Sequence, residues 1–222
     1  MMDDPLLDER LHAEALVDLG KLNALSKGTD ILWKPLLRLA SQNGGKLKVL
    51  DIATGGGDTP LELSARAASE GIAMKIDGCD FSQRAVDFAR EEASKAKCDS
   101  DFFRLNVIDE ALPTDYDVMM CSLFTHHIDE DDVVLLLSKM GSASRLAVLV
   151  NDLLRSQLNL ILVTLGTRLF CKSKVVHFDG PASVHGAYTL HEMKSMAEKA
   201  RLEQIVVTEH FPCRLLLESR RI

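Results

Sequence analysis

The sequence predicts an α/β fold in which a largely parallel sheet carries helices on both faces, and three observations predict it. Short apolar runs alternate with helical periodicity between residues 46 and 151, the pattern of successive βα units. The first run, Lys46 to Ile52, is followed at once by Gly55, Gly56 and Gly57 and then by a helical pattern from Thr59. Such a glycine turn, at the carboxyl end of a central strand, is where doubly wound sheets bind nucleotides. Finally, two strand-like runs near the end are separated only by a short turn containing Pro212, which predicts an antiparallel hairpin.

The elements follow in order. From Asp8 to about Leu25, Leu11, Ala15, Leu16, Leu19 and Leu22 recur at three and four, the stripe of an amphipathic helix. A second helix spans Asp30 to about Ala40, capped by Thr29 or Asp30, and carries the single tryptophan, Trp33, either to wall a site or to fill core. Strands are then expected at 46–52, 74–80, 101–105, 116–122, 145–151, 204–208 and 213–218, with helices at 59–70, 82–96 and 129–140. Residues 156–170 are apolar nearly all round but interrupted by Asn159, Thr164 and Arg168, too short to span a bilayer. That stretch suits a lid over an apolar substrate, with dimer contact or core as the alternatives. Residues 176–189 are polar and turn-rich, and predict a loop that ends where Thr189 caps a helix from Leu190. The domain reading is therefore a helical cover at 1–42 and one main domain at 43–222, with 153–190 as a lid insertion.

Composition bounds the function. Of 222 residues, 26 are Lys or Arg and 33 Asp or Glu, a net charge of −7 with no basic run, which argues against nucleic acid as a partner. The five cysteines are scattered without C-x-x-C spacing, as in reduced intracellular chains. The acidic start, Met-Met-Asp-Asp-Pro, lacks the basic, apolar character of an export signal, so a cytoplasmic location is expected.

The glycine turn does not fit a dinucleotide fingerprint, because a G-x-G-x-x-G starting at Gly55 would require glycine at Pro60. Instead, Val-Leu-Asp51-Ile-Ala53-Thr54-Gly55-Gly-Gly57 resembles the first motif of class I S-adenosylmethionine-dependent methyltransferases, and Gly78-Cys-Asp80-Phe81-Ser resembles their second. The family usually has glycine where this chain has Ala53. The resemblance, strongest over residues 46–155, implies a Rossmann-like seven-stranded methyltransferase sheet with an antiparallel last strand, and S-adenosylmethionine as cofactor. It points to the branch acting on small quinone- or polyketide-type acceptors. A Rossmann-type oxidoreductase and a non-catalytic cofactor-binding subunit are the alternatives. A homodimer is compatible with either.

Site candidates follow residue by residue. Asp80 lies 23 positions after Gly57 (80 − 57), near the spacing of roughly 20 at which an acidic strand end reaches a ribose; its other reading is a helix cap. The resemblance adds Asp51, Ala53, Thr54, Gly55, Gly57 and Phe81 to the cofactor site, places Asn106 and Val107 beside the adenine, and makes Ser122 and Leu123 further contacts. It puts an active-site histidine just after the fourth strand, at His126. Histidine suits a base near neutral pH, although one of two adjacent histidines at such a turn can also cap or pack. Asp152, at the end of the fifth strand, can orient a substrate hydroxyl or a histidine, or cap the helix at Ser156. His127, His177, His185 and Tyr188 are candidate substrate contacts. No metal site is expected, since neighbouring histidines point apart.

Overall fold

The computed structural model describes residues 28–171 and 173–221; the helix expected at Asp8 to Leu25 lies outside them. Helix α1 (Gly28–Gln42) leads into β1 (Lys46–Ile52), α2 (Asp58–Ser69), β2 (Ala73–Asp80), α3 (Gln83–Ala96) and β3 (Phe102–Arg104). Then come β4 (Val118–Ser122), a single 3-10 turn at Thr125–His127, α4 (Glu130–Ala143) and β5 (Ala147–Leu153). Helices α5 (Gln157–Phe170), α6 (Lys174–Gly186) and α7 (Leu190–Lys199) precede the closing strands β6 (Val206–His210) and β7 (Arg214–Arg220).

The seven strands form one sheet in the order β3-β2-β1-β4-β5-β7-β6. Strands β1 to β5 pair in parallel, and β7 runs antiparallel to both β5 and β6, so β7 alone opposes the rest. The order reverses at β1, whose neighbours are β2 and β4, and a ligand crevice opens at the carboxyl ends of strands at such a switch point.

Alternation along the strands splits the core in two. Val49, Val118, Met120 and Leu149 face α1 and α2 together with Leu32, Leu36 and Leu63, whereas Leu50, Ile52, Met119 and Val150 face α4 and α7 with Leu136, Leu137, Met193 and Met196. Trp33 is core, with the Arg66 guanidinium 4.6 Å from its ring centroid. Helix α7 opens with the expected capping box, Thr189 accepting from the Glu192 amide while the Glu192 carboxylate accepts from the Thr189 amide. Its neighbour Arg155 pairs with Glu192 as well.

Two segments differ from the sequence reading. Residues 176–189, expected as a loop, are mostly helix α6, despite Gly180 and Pro181 in its interior. Packing overrides weak propensity here: Val175, Val176 and Val184 are buried, and a side chain on Gly180 would meet Thr167 and Val163 of α5 at 2.8 and 3.0 Å, so glycine lets the two helices approach. Helix α5 is not buried all round. It turns Leu158, Ile161, Leu162, Leu165 and Leu169 outward along one face, with Leu169 74% exposed.

Candidate active site

The glycine turn after β1 closes on itself. The Thr54 amide donates to the Cys79 carbonyl (3.0 Å) and the Gly57 amide to the Thr54 carbonyl (3.1 Å). Gly55 and Gly57 sit at φ +56° and +80°, conformations that glycine adopts without steric cost. A side chain on Gly55 would meet nothing within 4 Å, so open space borders its Cα. No side chain caps α2 at Gly57, leaving its first-turn amides toward the crevice. Ala53 has φ +55°, which explains why glycine is the usual residue at this place in the motif: the backbone is left-handed, and this chain carries alanine there under strain.

Two carboxylates line the same turn. Asp80 accepts from the Gly55 amide through Oδ2 and from the Ser82 amide through Oδ1, both at 2.9 Å, and each oxygen keeps a lone pair for a hydroxyl. Ser82 caps α3 itself, accepting from the Ala85 amide. Asp51 is buried between Gly78 and Met120 on the flanking strands. Its Oδ2 accepts from the Thr54 hydroxyl (2.7 Å), while Oδ1 has no hydrogen-bond partner. Burial is the main cause that pushes the Asp51 carboxyl up to about 7; the Thr54 hydrogen bond opposes it and Asp80 adds to it. An orphaned, buried carboxylate oxygen facing a second carboxylate is arranged for a cation or a donor.

Around this turn, Phe81 is 63% exposed and Val107 is buried. The Asn106 amide is committed to its own loop: Nδ2 donates to Asp109 (2.7 Å) and Oδ1 accepts from the Ile108 amide (3.1 Å). That leaves one lone pair on Oδ1 for any further donor. Lys139, a residue with no signal in the sequence, reaches from α4 to donate to the carbonyls of Val107, Ile108 and Glu110 and so pins the loop. Ser122 Oγ accepts from Asn151 Nδ2 (2.9 Å), and the amide of Leu123, itself at φ +57°, donates to the Asn151 carbonyl (2.9 Å).

Beyond β4 the chain brings His126 and Asp152 together. The Nδ1 of His126 lies 2.6 Å from Asp152 Oδ1, and the two side chains are 5% and 2% exposed. Asp152 also accepts from the Leu153 amide (2.7 Å), the Thr125 hydroxyl (2.5 Å) and the His126 amide (3.3 Å). Burial raises the Asp152 carboxyl, but the charge and hydrogen bond of His126, with the Thr125 hydrogen bond, outweigh it and hold the carboxyl down at about 2. A carboxylate ionised at all working pH values and bonded to Nδ1 leaves Nε2 as the free edge of the ring.

The other candidates are placed as follows. His127 is exposed on the 3-10 turn, its ring 4.1 Å from that of His126. The Tyr188 hydroxyl donates to the Ile128 carbonyl (2.7 Å) and so braces the end of α6 against the His126 turn, whereas His177 Nε2 lies 3.0 Å from the Cys171 carbonyl, within the α5–α6 connection. His185 is exposed on α6. At the end of that helix a side chain on Gly186 would meet the His126 carbonyl at 2.5 Å. Thr125, Lys139 and Gly186 were not legible as site residues, because each acts through a contact distant in sequence.

Comparison with known proteins bears on the fold. Residues 49–145 match the family model for a methyltransferase domain. Over that span, a little under half of its length, the chain is similar to methyltransferase domains. None of the curated proteins matches the sequence. Among solved structures, the methyltransferase fold of this chain is similar to magnesium protoporphyrin IX methyltransferase from Synechocystis PCC 6803 with bound SAH (14% identity, 99% of this chain and 90% of that one, TM-score 0.61). It is also similar to human N-acetylserotonin methyltransferase in complex with SAM (16% identity, 96% and 56%, TM-score 0.64). A third is an O-methyltransferase family 2 protein from Planctomyces limnophilus DSM 3776 in complex with apigenin (16% identity, 81% and 52%, TM-score 0.61). The chain spans little more than half the length of several of these relatives, including 57% of a Nostoc punctiforme protein. At such identities the likeness establishes the fold. Among the described residues no helix is long and apolar enough to cross a membrane.

Proposed function

We propose that the protein transfers a methyl group from S-adenosylmethionine to a small acceptor bearing an acidic proton, a phenol or enol of quinone or polyketide type, with His126 as the base. The cofactor fits the residues present: the orphaned Oδ1 of Asp51 and the carboxylate of Asp80 offer negative charge to a cationic, hydroxyl-bearing nucleoside, and the open space at Gly55 admits its amino-acid end. When bound, it supplies an electrophilic methyl on a sulfonium.

The observation that carries the reading is the buried His126–Asp152 pair on the carboxyl side of β4 and β5, of which β4 pairs with the strand that leads into the glycine turn. In-line methyl transfer releases a neutral thioether, so alignment supplies much of the acceleration. The protein's remaining work is to remove the acceptor proton. His126 Nε2 takes it, while Asp152 holds Nδ1–H and stabilises the imidazolium that results.

The test has two arms. Calorimetry with S-adenosylhomocysteine and with NAD should give binding to the first alone, lost in Asp80→Ala; undiminished affinity of that variant removes Asp80 from the site, and NAD binding would replace the reading by an oxidoreductase one. Transfer of labelled methyl to a panel of phenols, catechols and hydroxyquinones should fall about 10²-fold or more in His126→Asn with cofactor affinity kept. Equal turnover would take His126 out of the mechanism, and transfer to no member would favour a cofactor-binding subunit.

A further inference from the structure

Asp152 is held unevenly by its neighbours. Oδ1 meets His126 Nδ1 and the Leu153 amide, at 2.6 and 2.7 Å. Among the described residues, the one contact under 3 Å on Oδ2 is the Thr125 hydroxyl, at 2.5 Å; the His126 amide stands at 3.3 Å. Thr125 is fully buried, opens the 3-10 turn and immediately precedes His126. Its hydroxyl therefore binds the carboxylate from the same turn that carries the imidazole.

We propose that Thr125 is a positioning residue: its hydroxyl stops the Asp152 carboxylate rotating about its Cβ–Cγ bond, so that Oδ1 stays on His126 Nδ1 and Nε2 remains the proton-accepting edge. Without it, the contact left on Oδ2 among the described residues is the His126 amide at 3.3 Å. The carboxylate then turns, the Nδ1–H contact lengthens, and the imidazole loses its fixed tautomer.

The other charged and titratable groups around the pair are Arg214 on β7, Cys121 on β4 and Tyr188 after α6, all of which feel Asp152. Asp129 and Glu130 at the start of α4, with Glu192 of α7, act on Tyr188, and His127 stands beside the ring.

The proposal rests on His126 being the base, and it is tested without any acceptor or cofactor. In the full-length chain with nitrogen-labelled histidine, the ring nitrogen resonances of His126 are assigned among the seven histidines by their loss in His126→Asn, then followed against pH. The unsubstituted protein should show neutral His126 as the Nδ1–H tautomer. Thr125→Val, close in shape but without the hydroxyl, should show the Nε2–H tautomer appearing; Thr125→Ser should match the parent. A single Nδ1–H tautomer in Thr125→Val overturns the proposal. If the valine variant does not fold, Thr125→Cys, a much weaker donor of similar size, is read by the same criteria. A failed methyl-transfer reading shows instead as full turnover in His126→Asn, so the two failures are distinguishable.

Discussion

Replacing Asp51 by asparagine should stabilise the ligand-free protein at neutral pH while weakening the site. The side chain is buried, with Oδ1 unpartnered, and its carboxyl is displaced from 3.8 to about 7, chiefly by burial. A folded-state value raised above the unfolded one means that the native state binds the extra proton. Stability is then fully present below 3.8, is lost as pH rises toward 7, and is flat above. At 1.36 kcal/mol for each factor of ten, the loss reaches about 4 kcal/mol by pH 8. Asparagine is nearly isosteric with the protonated acid and keeps an acceptor for the Thr54 hydroxyl, so the substitution isolates the charge. Urea denaturation of both proteins at pH 5 and pH 8 is the assay. The advantage of Asp51→Asn should grow by about 2–3 kcal/mol between the two. An advantage that is constant with pH would refute the reasoning, because it would mean that the carboxylate is solvated or paired in the native protein.

Three further outcomes follow from single contacts. Ala53→Gly removes a left-handed alanine and should stabilise by about 0.5–1 kcal/mol after the extra chain entropy of glycine is counted, measured by the denaturation midpoint; a loss would mean that the methyl group packs favourably. Gly186→Ala drives a methyl into the His126 carbonyl, 2.5 Å from its ideal position. It should cost about 1–3 kcal/mol and disturb the His126 ring resonances, which an unaltered spectrum would disprove. Lys139→Met strands three loop carbonyls and should lower S-adenosylhomocysteine affinity several-fold by calorimetry, with hydrogen exchange rising at residues 106–110; unchanged exchange would show that the loop stands without it.

Much of this protein is determined by local sequence. The short apolar runs of β1 and β4, the glycines at 55–57 and the polar residues at strand ends report backbone geometry within a few positions, so the sheet, its closing hairpin and the switch-point turn were all legible. The meeting of His126 with Asp152 could be suggested, because both follow strands that end at the same edge. Contacts between distant segments were decided by tertiary packing. The helicity of Lys174–Gly186 comes from α5 pressing on Gly180, and the outward face of α5 comes from its docking on α6 by the opposite side. Trp33 fills core because α1 lies flat on the sheet. Thr125, Gly186 and Lys139 owe their places to a carboxylate, a carbonyl and a loop supplied 27, 60 and about 30 residues away. Periodicity reports which face of an element is apolar; it carries no information about which distant partner meets that face, and the site is made of those meetings.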